Sequence, residues 1–162
     1  MPDPSKYLAT YLNDHLLGAT AGTELARRAA RENEGSEVGT FLSGLAAEIG
    51  EDRATLRALM AELGVKEDHA KVAAGWAAEK VGRLKPNAQL RGYSPLSPLV
   101  ELEGLLIGIQ GKLAMWRALA GVADEVGLDR ERLETLSVAA ERQQDDVERH
   151  RLAVARTALT AT

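Results

Sequence analysis

Apolar side chains recur along this chain every three to four residues, in long runs separated by glycine, proline and capping residues, which is the period of helices buried on one face. Leu8, Leu12, Ala19, Ala26 and Ala30, flanked by Tyr11 and Leu25, predict a helix over about 6–32. Asn33 and Gly35 then supply turn chemistry, and Ser36 is a natural N-cap. Val38, Phe41, Leu42, Leu45, Ile49, Leu56, Leu59, Met60 and Leu63 form the next stripe, predicting a helix over about 37–63 that stops at Gly64. So short a turn makes the two helices antiparallel neighbours. Residues 65–98 break the pattern, with a short helix expected at about 69–84 and then a loop punctuated by Pro86, Gly92, Pro95 and Pro98. Pro98 suits a first helical turn after Ser97, and the helix it opens, about 98–122, is apolar around most of its circumference, which marks it as central. After Gly127, Asp129 caps a last helix over about 129–158, with Leu133, Leu136, Ala140, Val147 and Val154 on one face. The last two long helices make a second hairpin.

Composition agrees with this reading. Alanine, leucine, glutamate and arginine dominate, aromatics make up 4%, and β-branched residues are scattered, so the expectation is an all-α protein. Its 162 residues suit a single domain, 1–162, with a real core. The net charge of −4, with both signs interspersed, offers no electrostatic reason for a nucleic-acid partner. The absence of cysteine excludes disulfides, thiolate metal sites and thiol catalysis. Met1 to Ser5 lacks a basic, then apolar leader and no run reaches membrane-span length, so the expectation is a cytoplasmic protein without a membrane partner.

Two helical hairpins joined by a long crossing segment describe an antiparallel four-helix bundle with one crossover that contains a short helix, and in topology and helix size the chain resembles the ferritin-like superfamily. The resemblance implies a di-metal site built from a Glu on each of two helices and a Glu-x-x-His on each of the other two. This chain has no Glu-x-x-His: three residues before His15, His69 and His150 stand Leu12, Lys66 and Val147. Where the motif is expected, the second helix reads Glu48-Ile-Gly-Glu51 and the last reads Glu141-Arg-Gln-Gln144. The superfamily's ligand set therefore does not carry over. Iron, manganese or zinc would require a nonstandard set, drawn from His15, Asp52, Glu48, Glu103 and His150.

Of these, His15 lies on the line through Leu8, Leu12, Ala19 and Ala26, and Asp52 falls between Ile49 and Leu56. Counted outward from the first turn they sit at similar heights. They are expected to share a hydrogen bond that raises the histidine pKa, either as a register-setting buried pair or as part of a site. Glu103 is flanked by apolar residues, and His150 lies at the stripe's edge one turn after Asp146, a pair expected at the surface. If the connector crosses the bundle, Glu103 lies at the end opposite His15 and Asp52, and the set divides in two.

Gly18, Ala19, Ala21 and Gly22 on the first helix, and Gly104, Gly108 and Gly111 on the third long one, suggest close helix approach or room for a bound molecule. The glycine face of the third long helix could meet the connector helix with Trp76, or a second subunit in a homodimer. Phosphate-loop, nucleophile-elbow and cysteine-nucleophile signatures are missing, and the Arg142, Arg149, Arg156 row reads as a solvated face. Three functional readings stand: a non-catalytic ferritin-like bundle, without cofactor, acting in protein interaction or stress; an atypical metal-binding or oxidative bundle built on His15 and Asp52; and a bundle binding a small apolar ligand in a glycine-lined groove.

Overall fold

The computed structural model describes residues 5–70, 73 and 92–160, and every regular element among them is helical. The helices are α1 (Lys6–Glu32), α2 (Glu37–Glu62), α3 (Ser97–Gly121), the single turn α4 (Ala123–Val126) and α5 (Arg130–Ala158). The starts follow local chemistry. Ser5 Oγ accepts the Leu8 N–H at 3.1 Å, Ser36 Oγ accepts the Gly39 N–H at 3.0 Å, and Asp129 accepts from Glu131 and Arg132. The third long helix opens one residue earlier than expected: Leu96 is its cap and makes no side-chain bond, while Ser97 lies inside the helix with Pro98 in the first turn. The α2 C-terminus closes through a left-handed Gly64 (φ +68), which lets the Val65 N–H reach the Met60 carbonyl at 2.8 Å. Most of the helix expected at 69–84, with Trp76, lies outside the described residues.

Side-chain contacts set the sense of each helix pair. From α1 to α3, Arg28 meets Glu101 and Leu25 faces Gly104, so rising numbers in one meet falling numbers in the other. The same holds from α2 to α5, through Phe41 with His150, Glu48 with Arg142 and Glu62 with Arg132. It holds again from α3 to α5, through Glu103 with Arg151 and Arg117 with Glu141. Since α2 and α3 are both antiparallel to α5, they run parallel to each other. One buried cluster joins all four long helices, with Leu12, Leu16, Leu42, Leu59, Leu102, Trp116, Leu133 and Val147 at its centre.

The chain between α2 and α3 is anchored at both ends to α1. Near the α1 N-terminus, buried Asn13 donates to the Lys66 carbonyl at 3.0 Å and accepts the Asp68 N–H at 2.7 Å. Near its C-terminus, Asn33 donates to the Tyr93 hydroxyl at 2.6 Å, and that hydroxyl donates to Glu101 at 2.5 Å. Burial pushes the Tyr93 phenol well above its usual range. Burial also raises the Glu101 carboxyl, against the lowering effects of the Tyr93 hydrogen bond and the Arg28 guanidinium.

Helix α3 is less central than its composition predicts. Val100 and Ile107 reach the surface, Ile107 with 74% of its area exposed.

Candidate functional site

Between α1, α2 and α3 lies a cavity of about 210 Å³ that opens to solvent along the exposed Gly18, Gly104 and Gly108. Its walls are small or apolar: Gly18, Ala19 and Gly22 from α1, Ile49 and Leu56 from α2, and Gly108, Ile109, Gly111 and Met115 from α3. A β-carbon added at Gly18, Gly22, Gly108 or Gly111 would meet no described atom within 4 Å. These glycines therefore do not permit close helix contact; they leave space. Only at Gly104 would a β-carbon touch the facing helix, at 3.2 Å from Leu25. Each helix-interior glycine costs about 1 kcal/mol against alanine, and at four positions no packing gain among the described residues offsets it.

The cavity's polar wall includes Asp52 and Lys112, which belong to a charge network shared by α2, α3 and α5. The Lys112 ammonium donates to Asp52 Oδ2 and Gln143 Oε1. The Gln143 amide in turn donates to Asp52 Oδ2 at 3.1 Å and Glu48 Oε2 at 3.0 Å, and Arg142 donates to the same Glu48 oxygen at 2.9 Å. Two cations thus face two carboxylates around a buried amide, which keeps the partly buried charges compensated. Arg53 also lines the cavity. Its Nε–H donates to Thr20 Oγ1 at 3.2 Å, and the Thr20 hydroxyl donates to the Leu16 carbonyl at 2.8 Å. Trp116 completes the wall, fully buried, with an Nε1–H that finds no acceptor among the described residues.

His15 and Asp52 both line this cavity, but they do not form the expected pair. The Asp52 carboxylate is engaged by Lys112 and Gln143, whereas the His15 ring packs edge-on against Tyr11, one turn earlier, at 4.6 Å between centroids. Without a bonded carboxylate, burial dominates and lowers the His15 pKa, opposed only in part by the neighbouring Asp14 charge. This corrects the expected upward shift.

The other candidates lie elsewhere. Glu103 is exposed and pairs with Arg151 at 3.3 Å; the buried acid of α3 is Glu101, two residues earlier. His150 stacks on Phe41 at 3.7 Å, and its Nδ1 bonds the Asp146 carbonyl oxygen at 2.8 Å rather than the carboxylate, which Arg149 and Arg142 engage. Glu48 joins the Lys112 network through Gln143. His15 and Asp52 therefore stand apart from Glu103 and His150. Among the described residues, no three His, Asp or Glu side chains are grouped so that they could hold a metal ion.

Periodicity does not single out Lys112, Arg53 and Trp116, which line the cavity, or Gln143, which bonds Lys112 and Asp52. One signal for Lys112 is present in the sequence, since it is the sole cation between Leu99 and Trp116 in a run dominated by apolar residues. A lone lysine in such a run needs an acidic partner on a neighbouring helix. Gln143 has no comparable signal, because it sits among charged residues on a mixed helix surface.

No helix among the described residues is long and apolar enough to cross a membrane. No family model, no curated protein and no solved structure matches this chain.

Proposed function

We propose that this protein is a ferritin-like four-helix bundle, with a crossover between α2 and α3, that binds a small, largely apolar molecule instead of housing a di-metal centre. The helix senses support the topology: α2 and α3 run parallel while each opposes α5, and residues 66–68 and 93 meet opposite ends of α1. The observation that carries the binding function is the set of four helix-interior glycines whose missing side chains form the cavity wall. The volume of about 210 Å³ suits a single ring with a short substituent laid against the apolar wall, its polar end towards the solvent-open side. The buried Trp116 Nε1–H, without an acceptor among the described residues, adds a polar group with capacity to spare at the same wall.

Titration with 2-phenylethanol, followed by amide NMR shifts and by the melting temperature, tests the function. The expected result is saturable shifts at Gly108, Gly111 and the Trp116 indole N–H, with a rise in Tm. Gly111→Leu should fill the space and abolish both effects while the protein stays folded. Unchanged spectra on titration with 2-phenylethanol, benzyl alcohol and toluene would overturn the reading.

Self-association is a second reading, favoured by the exposed Val100 and Ile107 on α3. Sedimentation equilibrium of the wild type against Ile107→Lys tests it: a dimer lost in the variant supports it, and a monomeric wild type removes it.

A further inference from the structure

The polar groups around the cavity are unequally supplied with partners, and that inequality specifies the ligand's chemistry. Arg53 carries five N–H donors, and among the described residues only its Nε–H is used, by Thr20. The Thr20 hydroxyl is itself tied to the Leu16 carbonyl, so the guanidinium is held from α1 while its terminal amino groups are left with donors to spare. Lys112 spends two of its three N–H donors on Asp52 and Gln143. Trp116 Nε1–H has no acceptor among the described residues, and burial disfavours the charged form of His15. On the acidic side, Asp52 is compensated by Lys112, and Asp14 is an exposed residue with an interaction of its own. Donors exceed acceptors around an apolar space, and the spare positive charge is a planar fork.

We infer that the ligand is a small amphipathic carboxylate, its apolar body in the glycine-walled cavity and its carboxylate on the Arg53 guanidinium. Arginine presents two parallel N–H donors that match a carboxylate, and holding its Nε in place reduces the ordering cost of that fork. A cationic ligand would face Arg53 and Lys112 together. An uncharged ligand would use the apolar wall and leave the guanidinium donors to water. This inference rests on the cavity being a binding site, as proposed above.

Three probes of one size separate the possibilities: phenylacetate, 2-phenylethanol and 2-phenylethylamine, titrated into the full chain at neutral pH and followed by isothermal calorimetry and NMR. Phenylacetate is expected to bind about tenfold more tightly than the alcohol, the increment of one charge-assisted bidentate contact over a neutral one, with the amine weakest. In Arg53→Gln phenylacetate should lose about tenfold in affinity, so that its preference over the alcohol disappears, while an unchanged amide NMR spectrum and melting curve of the ligand-free variant show that the fold is kept. Equal affinity for phenylacetate and the alcohol, or tighter binding of the amine, would overturn the carboxylate assignment and leave the cavity reading intact. An Arg53→Gln variant that keeps the full preference would overturn the role of Arg53. Binding of none of the three would remove the binding function itself.

Discussion

Lys112 on α3 reaches across the interior to the carboxylate of Asp52 on α2, joining two parallel helices across 60 residues of sequence. Both side chains are about 85% buried, and Gln143 from α5 bonds to each of them. The positive charge among these carboxylates is supplied by the protein's own ammonium.

Removing that ammonium leaves Asp52 buried beside Glu48 with only an amide and Arg142 to compensate. Lys112→Met is expected to destabilise the fold by about 2–4 kcal/mol, as breaking a buried pair does. The double variant Lys112→Met/Asp52→Leu should recover most of that loss, because neither partner is then left unpaired. Urea denaturation of the two variants checks this, and additive losses would contradict it.

The cavity glycines have room for a side chain, so in the absence of ligand Gly18→Ala, Gly108→Ala and Gly111→Ala should each raise stability by about 0.5–1 kcal/mol. Gly39→Ala should do the opposite. There a β-carbon would fall 2.0 Å from the Asn33 carbonyl oxygen, and the turn must shift at a cost of about 1–3 kcal/mol. Thermal melts of the four variants should divide along this line.

Stability should respond to pH through His15 with a definite sign. Its folded-state pKa is below the unfolded value of about 6.5, so within that window the unfolded chain binds more protons than the folded one. Stability therefore falls as the pH drops below about 6.5, and the loss levels off once the folded-state pKa is passed. Subtracting the stability curve of His15→Gln from that of the wild type should isolate this slope.

Glu101 acts in the reverse sense. Its folded-state pKa is raised, so from the ordinary carboxylate range of about 4.3 upward the folded chain binds the extra proton and stability declines as pH rises through the folded value. Glu101→Gln should remove that decline while keeping a partner for the Tyr93 hydroxyl. A decline that persists in the variant would assign it to another group.

Trp116→Phe removes a buried N–H that has no acceptor among the described residues, together with part of a large apolar surface, two effects of opposite sign. The net change in the ligand-free protein is expected to stay within about 1 kcal/mol, far from the 3–5 kcal/mol typical of truncating a buried tryptophan to alanine. Chemical denaturation of Trp116→Phe and Trp116→Ala measures the contrast.

The helix limits are legible in the sequence because they depend on neighbours a few residues away. Ser36 and Asp129 cap where their position before an apolar-periodic run predicts, and Gly64 ends α2 through its own left-handed backbone. On α2 and α5 one face is apolar and the other charged, so periodicity also identifies Leu42, Leu56, Leu133 and Val147 as core. The room between α1 and α3 is half legible. The glycines are visible as a cluster, but whether they admit a facing helix or leave a void depends on how far apart the axes settle, and four of the five chose the void.

What the sequence determined by itself is the all-helical character, the long helices with their caps and the lack of the Glu-x-x-His pattern, since each follows from spacing within one segment. What only the tertiary structure decided is which polar groups meet. Glu101 and Glu103 stand in the same apolar surroundings in sequence, yet two residues turn a helix by about 200°, so one is buried under Tyr93 and Arg28 and the other reaches solvent beside Arg151. Asp52 bonds Lys112 rather than His15 for the same reason. A helix that is apolar nearly all round has no stripe to mark its inward face, and the partner of a buried charge is chosen by the distance and rotation of the helices packed against it.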